Sequence, residues 1–417
     1  MNKPGMSKPG MSKPGMSKPG MNTQGVNPQV TVIGCDGRPA VSEAAKALAE
    51  ARTVIGTPRH LRLVPIPDGK ELIELKHLDE ALDTLSQTTT PTVVLASGDP
   101  GFFGIVRALR ARGITPRVIP AVSSVAEAFA RIGLDWDDAL VVSAHGRDPH
   151  RALAAALAHP KTAILTAPGT ASALARELFA AGKRVYVVEL LGTPEEKVCV
   201  LSGETGLADP NILISLDQDD TPGPPRWLAG HPGAPDGWAL PEDAFEHRDS
   251  MITKPEVRAL VLARLGPAPG RTIWDVGAGS GSVAVECARF GAYVIAVESD
   301  PAQCDKIRRN AERHHVCLRV HQGRAPEALP GLPPADAVFA GGGDHTVLAA
   351  AIRLASPRTV VVTLAAVARV GETAALLAGQ GYRADGVQLQ ASRLAPLPGG
   401  QLRLAAQNPV FVLWGQR

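Results

Sequence analysis

The stretch that most constrains this chain is residues 271–282, R-T-I-W-D-V-G-A-G-S-G-S. Thr272, Ile273, Trp274 and Val276 suit a short buried strand, glycines follow at 277, 279 and 281, and Val283, Ala284 and Val285 open a helix. A strand that turns this tightly into a helix N-terminus aims backbone N–H groups at an anion or a polar ligand. The rest of the chain is organised around that turn.

Spacing separates the two ligand classes that use such a turn. A dinucleotide fingerprint carries glycine at its first, third and sixth positions. Counting from Gly277, Ser282 is sixth and the third glycine comes early, at Gly281. Asp275 also opposes a pyrophosphate and suits an ammonium group, such as the methionine end of S-adenosyl-L-methionine. A second strand over residues 293–297 ends in Glu298, placed to accept both ribose hydroxyls. Asp275, Gly277, Ala278, Gly279, Ser280, Gly281 and Glu298 therefore form the candidate cofactor site.

A length of 417 residues exceeds one ordinary core and implies two or three domains. A formal charge of +2 gives neither a nucleic-acid footprint nor a membrane-surface stripe, so local basic clusters must carry any anion binding. Cys35, Cys199, Cys287, Cys304 and Cys317 contain no C-x-x-C pair, which argues against a zinc site and a disulfide framework. They read as reduced thiols. No apolar run approaches the roughly 18 residues of a membrane span, and no signal peptide opens the chain, so the expected compartment is the cytoplasm.

Residues 1–28 read as a disordered tail, because 1–20 are four five-residue Pro-Gly repeats with no core-forming residue except Met. Strands are expected at 30–33, 53–56, 91–96 and 117–119, with a helix over 41–52. The loop Ser97-Gly98-Asp99-Pro100-Gly101 fixes an exposed bend able to offer backbone groups to a ligand. Ser123 and Ser124 open the next helix, where capping and ligand binding are compatible. The alternation restarts with strands at 139–142, 162–165 and 184–190, implying two α/β lobes with a cleft between them. Residues 218–250 read as a linker, parts of which pack on a domain through Trp227, Trp238 and Phe245. A second domain, 251–417, begins with Thr253 capping a helix that carries Pro255 in its first turn. Its strands are expected at 272–276, 293–297, 317–320, 336–340 and 360–364, with two longer stretches at 387–394 and 403–414.

The order M-I-T-K-P-E-V-R, D-V-G-A-G-S-G-S, A-V-E-S-D, G-R-A-P-E and F-A-G-G-G resembles the decarboxylating C15-methyltransferases of cobalamin biosynthesis. The stretches S-G-D-P-G-F-F-G, P-A-V-S-S and S-A-H-G-R resemble the tetrapyrrole methylases that act at C5. Their fusion is similar to the precorrin-6Y C5,15-methyltransferase (decarboxylating) family. The resemblance implies a two-lobed tetrapyrrole methylase fold over 29–217. Over 251–417 it implies a Rossmann-like, seven-stranded methyltransferase fold. It implies S-adenosyl-L-methionine as cofactor, a tetrapyrrole substrate and self-association. Cofactor contacts would fall on Thr253, residues 277–281, Glu298 and Ala325 in the second domain, and on Gly98, Asp99, Pro100, Ser123 and Ser124 in the first. Arg324 departs from the pattern, since relatives often place an acid there and a guanidinium cannot accept the adenine amino hydrogen.

Methyl transfer to an electron-rich bridging carbon needs alignment and a dry cleft rather than a protein nucleophile. A many-acid substrate calls for basic groups: Lys254, Arg258 and His345 in the second domain, Arg59, His60, His145 and Arg147 in the first. Arg59 and His60 read most simply as surface charges. Decarboxylation of the ring C acetate uses the macrocycle as electron sink, with Asp344 or His345 positioning or protonating it; His145 is a candidate substrate contact. His314, His315 and His321 lack a carboxylate partner and read as solvated or core histidines, so no metal is expected. Three rivals remain: a methyltransferase acting on another acceptor, which lacks a basic aromatic groove here; a nicotinamide oxidoreductase, which the early third glycine opposes; and a non-catalytic assembly protein that kept a methylase shell, which Asp275 and Glu298 oppose.

Overall fold

The computed structural model describes residues 27–203, 206–217, 229–230, 234–248, 252–342 and 344–417. The repeats, Trp227 with about half of the expected linker, Met251 and Gly343 lie outside the described residues. The chain divides into two compact units, Met1–Val122 and Ser123–Arg417.

The first unit alternates β1 (Asn27–Cys35), α1 (Ser42–Glu50), β2 (Thr53–Gly56), α2 (Pro58–Leu63), β3 (Glu71–Glu74), α3 (Leu78–Ser86), β4 (Thr92–Ser97), α4 (Ile105–Ala111) and β5 (Pro116–Ile119). The strands form one parallel sheet in the order β3-β2-β4-β1-β5. Its central strands are unbroken apolar runs because both faces are covered. Ile33, Val54 and Leu95 meet Ala44 and Leu48 on one side, and Val32, Ile55 and Val94 meet Leu82, Leu85 and Leu109 on the other. Strand β3 escapes the sequence pattern because it is a charged, mostly exposed edge.

The second unit contains two large sheets and a two-stranded one. The first is built from α5 (Ser124–Ile132), β6 (Leu140–Ser143), α6 (Pro149–Ala158), β7 (Lys161–Leu165), α7 (Ala171–Ala180), β8 (Arg184–Glu189), β9 (Lys197–Val200) and β10 (Asn211–Leu216). Its order is β6-β7-β10-β8-β9, with β10 antiparallel to both neighbours. Strand β10 is buried along its whole length and shows no alternation to betray it.

The second sheet follows a 3-10 turn, Glu242–Ala244, and α8 (Pro255–Leu265). Its elements are β11 (Thr272–Val276), α9 (Ser282–Arg289), β12 (Tyr293–Glu298), α10 (Pro301–Arg313), β13 (Arg319–Gln322), β14 (Ala337–Gly341), α11 (His345–Ala355), β15 (Thr359–Leu364), α12 (Ala368–Gly379), β16 (Arg383–Leu389), β17 (Ser392–Pro396), β18 (Leu402–Ala406) and β19 (Val410–Gln416). The order β13-β12-β11-β14-β15-β19-β16 is parallel except for β19, which runs antiparallel between β15 and β16. Successive crossovers run outward on either side of β11 and β14, so the switch point lies between these two strands, where open α/β sheets bind ligands at their carboxyl ends. The two long tail stretches are each divided, and their inner halves form a separate hairpin, β17 with β18.

The linker is shorter than its composition implied. The Ala239 and Leu240 N–H groups donate to the Glu286 carboxylate at 2.6 and 2.9 Å. Phe245 is buried with Val285 and Ala311, and Trp238 meets the Phe290 ring edge-on. Residues 238–248 therefore belong to the body of the second sheet's domain.

Candidate cofactor and substrate sites

The turn after β11 exists because three of its residues have no side chain. Gly277, Gly279 and Gly281 hold φ of +75°, +55° and +75°, a region that side chains make costly. At Gly281 an added Cβ would also stand 2.9 Å from Ile307. Ser280 is buried, and its carbonyl accepts Asn310 Nδ2 at 2.9 Å. Ala278 is tied to β12 by its N–H on the Val297 carbonyl at 3.1 Å.

Asp275 is 1 % exposed, and neither carboxylate oxygen has a hydrogen-bond partner. Burial pushes its carboxyl up to about 7; the Ala284 N–H opposes this electrostatically without reaching hydrogen-bond geometry, and the Glu298 carboxylate adds to it. A partnerless buried carboxylate at a switch point fits a ligand that brings a cation. Glu298 fastens the turn from the neighbouring strand end. Its Oε2 accepts the Gly279 N–H at 2.8 Å, and its Oε1 accepts the Ser299 and Asp300 N–H groups at 2.7 and 2.9 Å. Oε2, which accepts only the Gly279 N–H, retains a second lone pair for a ribose hydroxyl.

The G-R-A-P-E stretch is brought alongside, with the Gly323 N–H donating to the Glu298 carbonyl at 2.8 Å. Arg324 is exposed, and Ala325 lies partly against the core. From the other side of the switch point, β14 delivers Asp344 and His345: a Cβ on Gly277 would lie 4.0 Å from the Gly341 carbonyl. Asp344 caps α11 by accepting the Thr346 N–H at 3.3 Å, and the Thr346 hydrogen bonds hold its carboxyl below the usual range. His345 is half-buried, its Nε2 3.2 Å from Thr373 Oγ1 and its Nδ1 3.5 Å from Glu372.

Two expectations at the start of this domain are corrected. Lys254, not Thr253, occupies the cap of α8, without a side-chain cap bond. Arg258 does not reach toward a substrate: it is wholly buried, donating to Glu286 at 2.6 Å and to the Thr253 and Leu240 carbonyls. Its guanidinium also sits 4.9 Å from the Phe245 ring centre. A charge so fully spent internally fixes the chain entering α8. Glu286, its partner, carried no sequence signal, since one acid on an apolar helix reads as surface. Lys254 pairs with Glu242 at 2.5 Å but stays partly accessible.

In the first unit, Gly98, Asp99 and Pro100 follow β4. Gly98 has φ +56° and donates to the Cys35 carbonyl at 2.7 Å, while Asp99 accepts the Gly101 N–H at 2.8 Å. Gly34 must lack a side chain, because a Cβ there would meet the Gly98 carbonyl at 2.3 Å. His60 is corrected from a surface charge to a buried residue, 5 % exposed, with Nε2 3.0 Å from Ser97 Oγ. Arg59 Nη2 donates to the same hydroxyl at 2.9 Å.

In the second unit, Ser123 caps α5 through the Ala126 N–H at 3.2 Å, and Ser124 is the first helical residue. His145 and Arg147 lie on the exposed turn after β6, where Arg147 donates to Ser143 Oγ at 3.0 Å. His314 and His321 are spent on the Ala244 and Ala328 carbonyls. A cavity of about 1590 Å³ opens at the amino ends of β11 to β15, among Thr272, Tyr293, Arg319, Asp336 and Arg358. This is the edge of the sheet opposite the glycine turn, away from the candidate cofactor residues.

Residues 243–415 match a family model described as the precorrin methyltransferase domain, and residues 29–205 match one for tetrapyrrole (corrin/porphyrin) methylases. The chain is 36% identical over 354 residues to a precorrin-6Y C(5,15)-methyltransferase (decarboxylating) of Sinorhizobium sp, covering 78% of this chain and 81% of that relative. Identity is 33% over 324 residues to a protein of the same name from Mycobacterium tuberculosis, covering 75% and 80%. Among solved structures, the C-terminal domain of precorrin-6Y C5,15-methyltransferase from Rhodobacter capsulatus is 33% identical, with a TM-score of 0.37, and covers 43% of this chain and 97% of that one.

Proposed function

The chain belongs to the precorrin-6Y C(5,15)-methyltransferase (decarboxylating) family, and from that membership we propose how its two halves divide the work. The enzyme uses S-adenosyl-L-methionine to methylate precorrin-6Y at C5 and C15 and removes the carboxyl of the ring C acetate as carbon dioxide, a step of cobalamin biosynthesis. Residues 29–217 carry out the C5 methylation. Residues 251–417 carry out the C15 methylation and the decarboxylation. The observation that carries this reading is the partnerless Asp275 beneath a left-handed glycine turn, in the half that matches the precorrin methyltransferase domain.

When bound, the cofactor supplies an electrophilic methyl group. In the second half, Asp275, residues 277–281, Glu298 and Ala325 would hold it, with Thr253 and Arg324 at the margin. In the first half, Gly98, Asp99, Pro100, Ser123 and Ser124 would do so. The protein's task is to align the acceptor carbon and exclude water. Lys254 would meet a substrate carboxylate by exchanging Glu242 for it, and Arg147, with His145, would meet another. For carbon dioxide loss the bonding pair flows into the macrocycle, and Asp344 or His345 places the compensating proton there. Among the described residues no helix is long and apolar enough to cross a membrane. Cytoplasmic residence and self-association, without nucleic acid or membrane as partner, complete the proposal.

Incubation with precorrin-6Y and labelled S-adenosyl-L-methionine tests the reading by product mass. Two methyl groups gained and one carbon dioxide lost are expected from the full chain. Asp275→Asn is expected to abolish the C15 methyl and carbon dioxide release while sparing the C5 methyl. Loss of both methyls together would overturn the division.

A further inference from the structure

At the carboxyl edge of the first sheet, the chain gathers three side chains that cofactor binding leaves unused. Ser97, the last residue of β4, immediately precedes the Gly98-Asp99-Pro100 bend and is exposed. Beneath it, His60 is buried on α2, its Nε2 3.0 Å from Ser97 Oγ, and Arg59 Nη2 lies 2.9 Å from Ser97 Oγ and 3.5 Å from the same imidazole nitrogen. A guanidinium offers donors only. The imidazole nitrogen facing it therefore keeps its lone pair, and the Ser97 hydroxyl is oriented as donor to His60 Nε2. His60 Nδ1 then carries the hydrogen, buried without a partner. The sequence already fixes the start of this arrangement, since Thr57 caps α2 at the His60 N–H and Pro58 opens the helix.

We propose that Ser97 is the catalytic proton acceptor of the C5 methylation and that His60, positioned behind it and polarised by Arg59, takes the hydroxyl proton in relay. This rests on the assignment of C5 chemistry to residues 29–217. A bridging carbon that gains a methyl group while still bearing its hydrogen leaves the macrocycle one positive charge richer. The C5–H bond then breaks, its electron pair restores the carbon–carbon double bond, and the proton passes to Ser97 Oγ as the serine proton moves to His60 Nε2. The imidazolium returns its proton to solvent by the same route.

The other polar groups at this edge already hold backbone partners. Asp36 accepts the Arg38 and Val122 N–H groups, and Asp99 accepts the Gly101 N–H. The Cys35 thiol, its proton affinity raised by burial to about 11, donates to the Ile33 carbonyl. Burial, with Arg59, pushes His60 down to about 4, so it is neutral before turnover and sheds its proton readily afterwards. A weak base suffices against a carbon acid carrying a full positive charge.

Ser97→Ala removes the hydroxyl that His60 and Arg59 share and leaves the backbone of the bend unaltered. With precorrin-6Y deuterated at C5, the variant is expected to lose roughly 100-fold in C5 methylation. It is also expected to develop a primary isotope effect that the wild type lacks, with C15 methylation unchanged; Ser97→Thr, which keeps the hydroxyl, restores the rate. Nitrogen NMR of the wild-type protein is expected to show His60 as the Nδ1–H tautomer. An unchanged C5 rate without an isotope effect, or an Nε2–H tautomer, overturns the relay and leaves the domain assignment standing. Loss of the C15 methyl in place of the C5 methyl overturns the domain assignment itself.

Discussion

Asp275→Asn separates folding from binding at the cofactor turn. The wild-type carboxyl titrates near 7 when folded, against an ordinary value of 3.8, because burial disfavours its charged form. A carboxyl raised on folding binds more protons in the native state, so its contribution to stability is greatest below about 3.8 and is lost as pH rises through about 7. The full shift corresponds to about 4 kcal/mol as an upper bound, and about 3 kcal/mol of it falls between pH 5 and pH 8.5. The amide of Asn does not ionise. Denaturant unfolding of wild type and variant at these two pH values should therefore show the variant gaining roughly 3 kcal/mol relative to wild type at the higher pH. Calorimetry with S-adenosyl-L-homocysteine should show weaker binding to the variant and, for the wild type, proton release below pH 7 as the ligand's ammonium ionises the carboxyl. A stability difference independent of pH, or unchanged affinity in the variant, refutes the argument.

Other outcomes follow from the same geometry. His60, depressed to about 4 from 6.5, contributes stability that is complete above about 6.5 and lost as pH falls to about 4; removing the imidazole should flatten that limb of the pH–stability curve. Glu286→Ala leaves Arg258 charged and buried without its carboxylate, and denaturant unfolding should register a loss of about 3–5 kcal/mol. The double change Arg258→Met with Glu286→Leu should cost much less, because it removes both charges together. Gly281→Ala forces a side chain into a left-handed turn and against Ile307, so it should destabilise by more than about 1 kcal/mol and weaken binding of the demethylated cofactor product.

The legible parts of the chain were those where local chemistry and tertiary role coincide. Residues 271–282 carry their whole instruction locally: β-branched strand, left-handed glycines and helix start, all realised in β11, the turn and α9. Strands β3, β9 and β10 were not anticipated. Two are short edges with exposed side chains, and the third is buried on both faces, so none shows a clean alternation. Arg258 misled for a related reason. A basic residue four positions after Lys254 looks like part of an anion site, and only the fold brings Glu286 beneath it.

His60 shows the converse, a residue whose character is set by contacts distant in sequence. Its neighbours on α2, Arg59 and Arg62, make the segment look like a charged surface turn. Only the parallel pairing of β2 with β4 sets the start of α2 beside Ser97, 37 residues later. The same pairing places that serine at the sheet's carboxyl edge, next to the bend expected to hold the cofactor. The order of strands thus decides which polar residues can cooperate, while the glycine and proline spacing along the chain decides where the edges lie. This is why both glycine-bearing turns could be read from sequence, whereas the pairing of His60 with Ser97 emerged only from the fold.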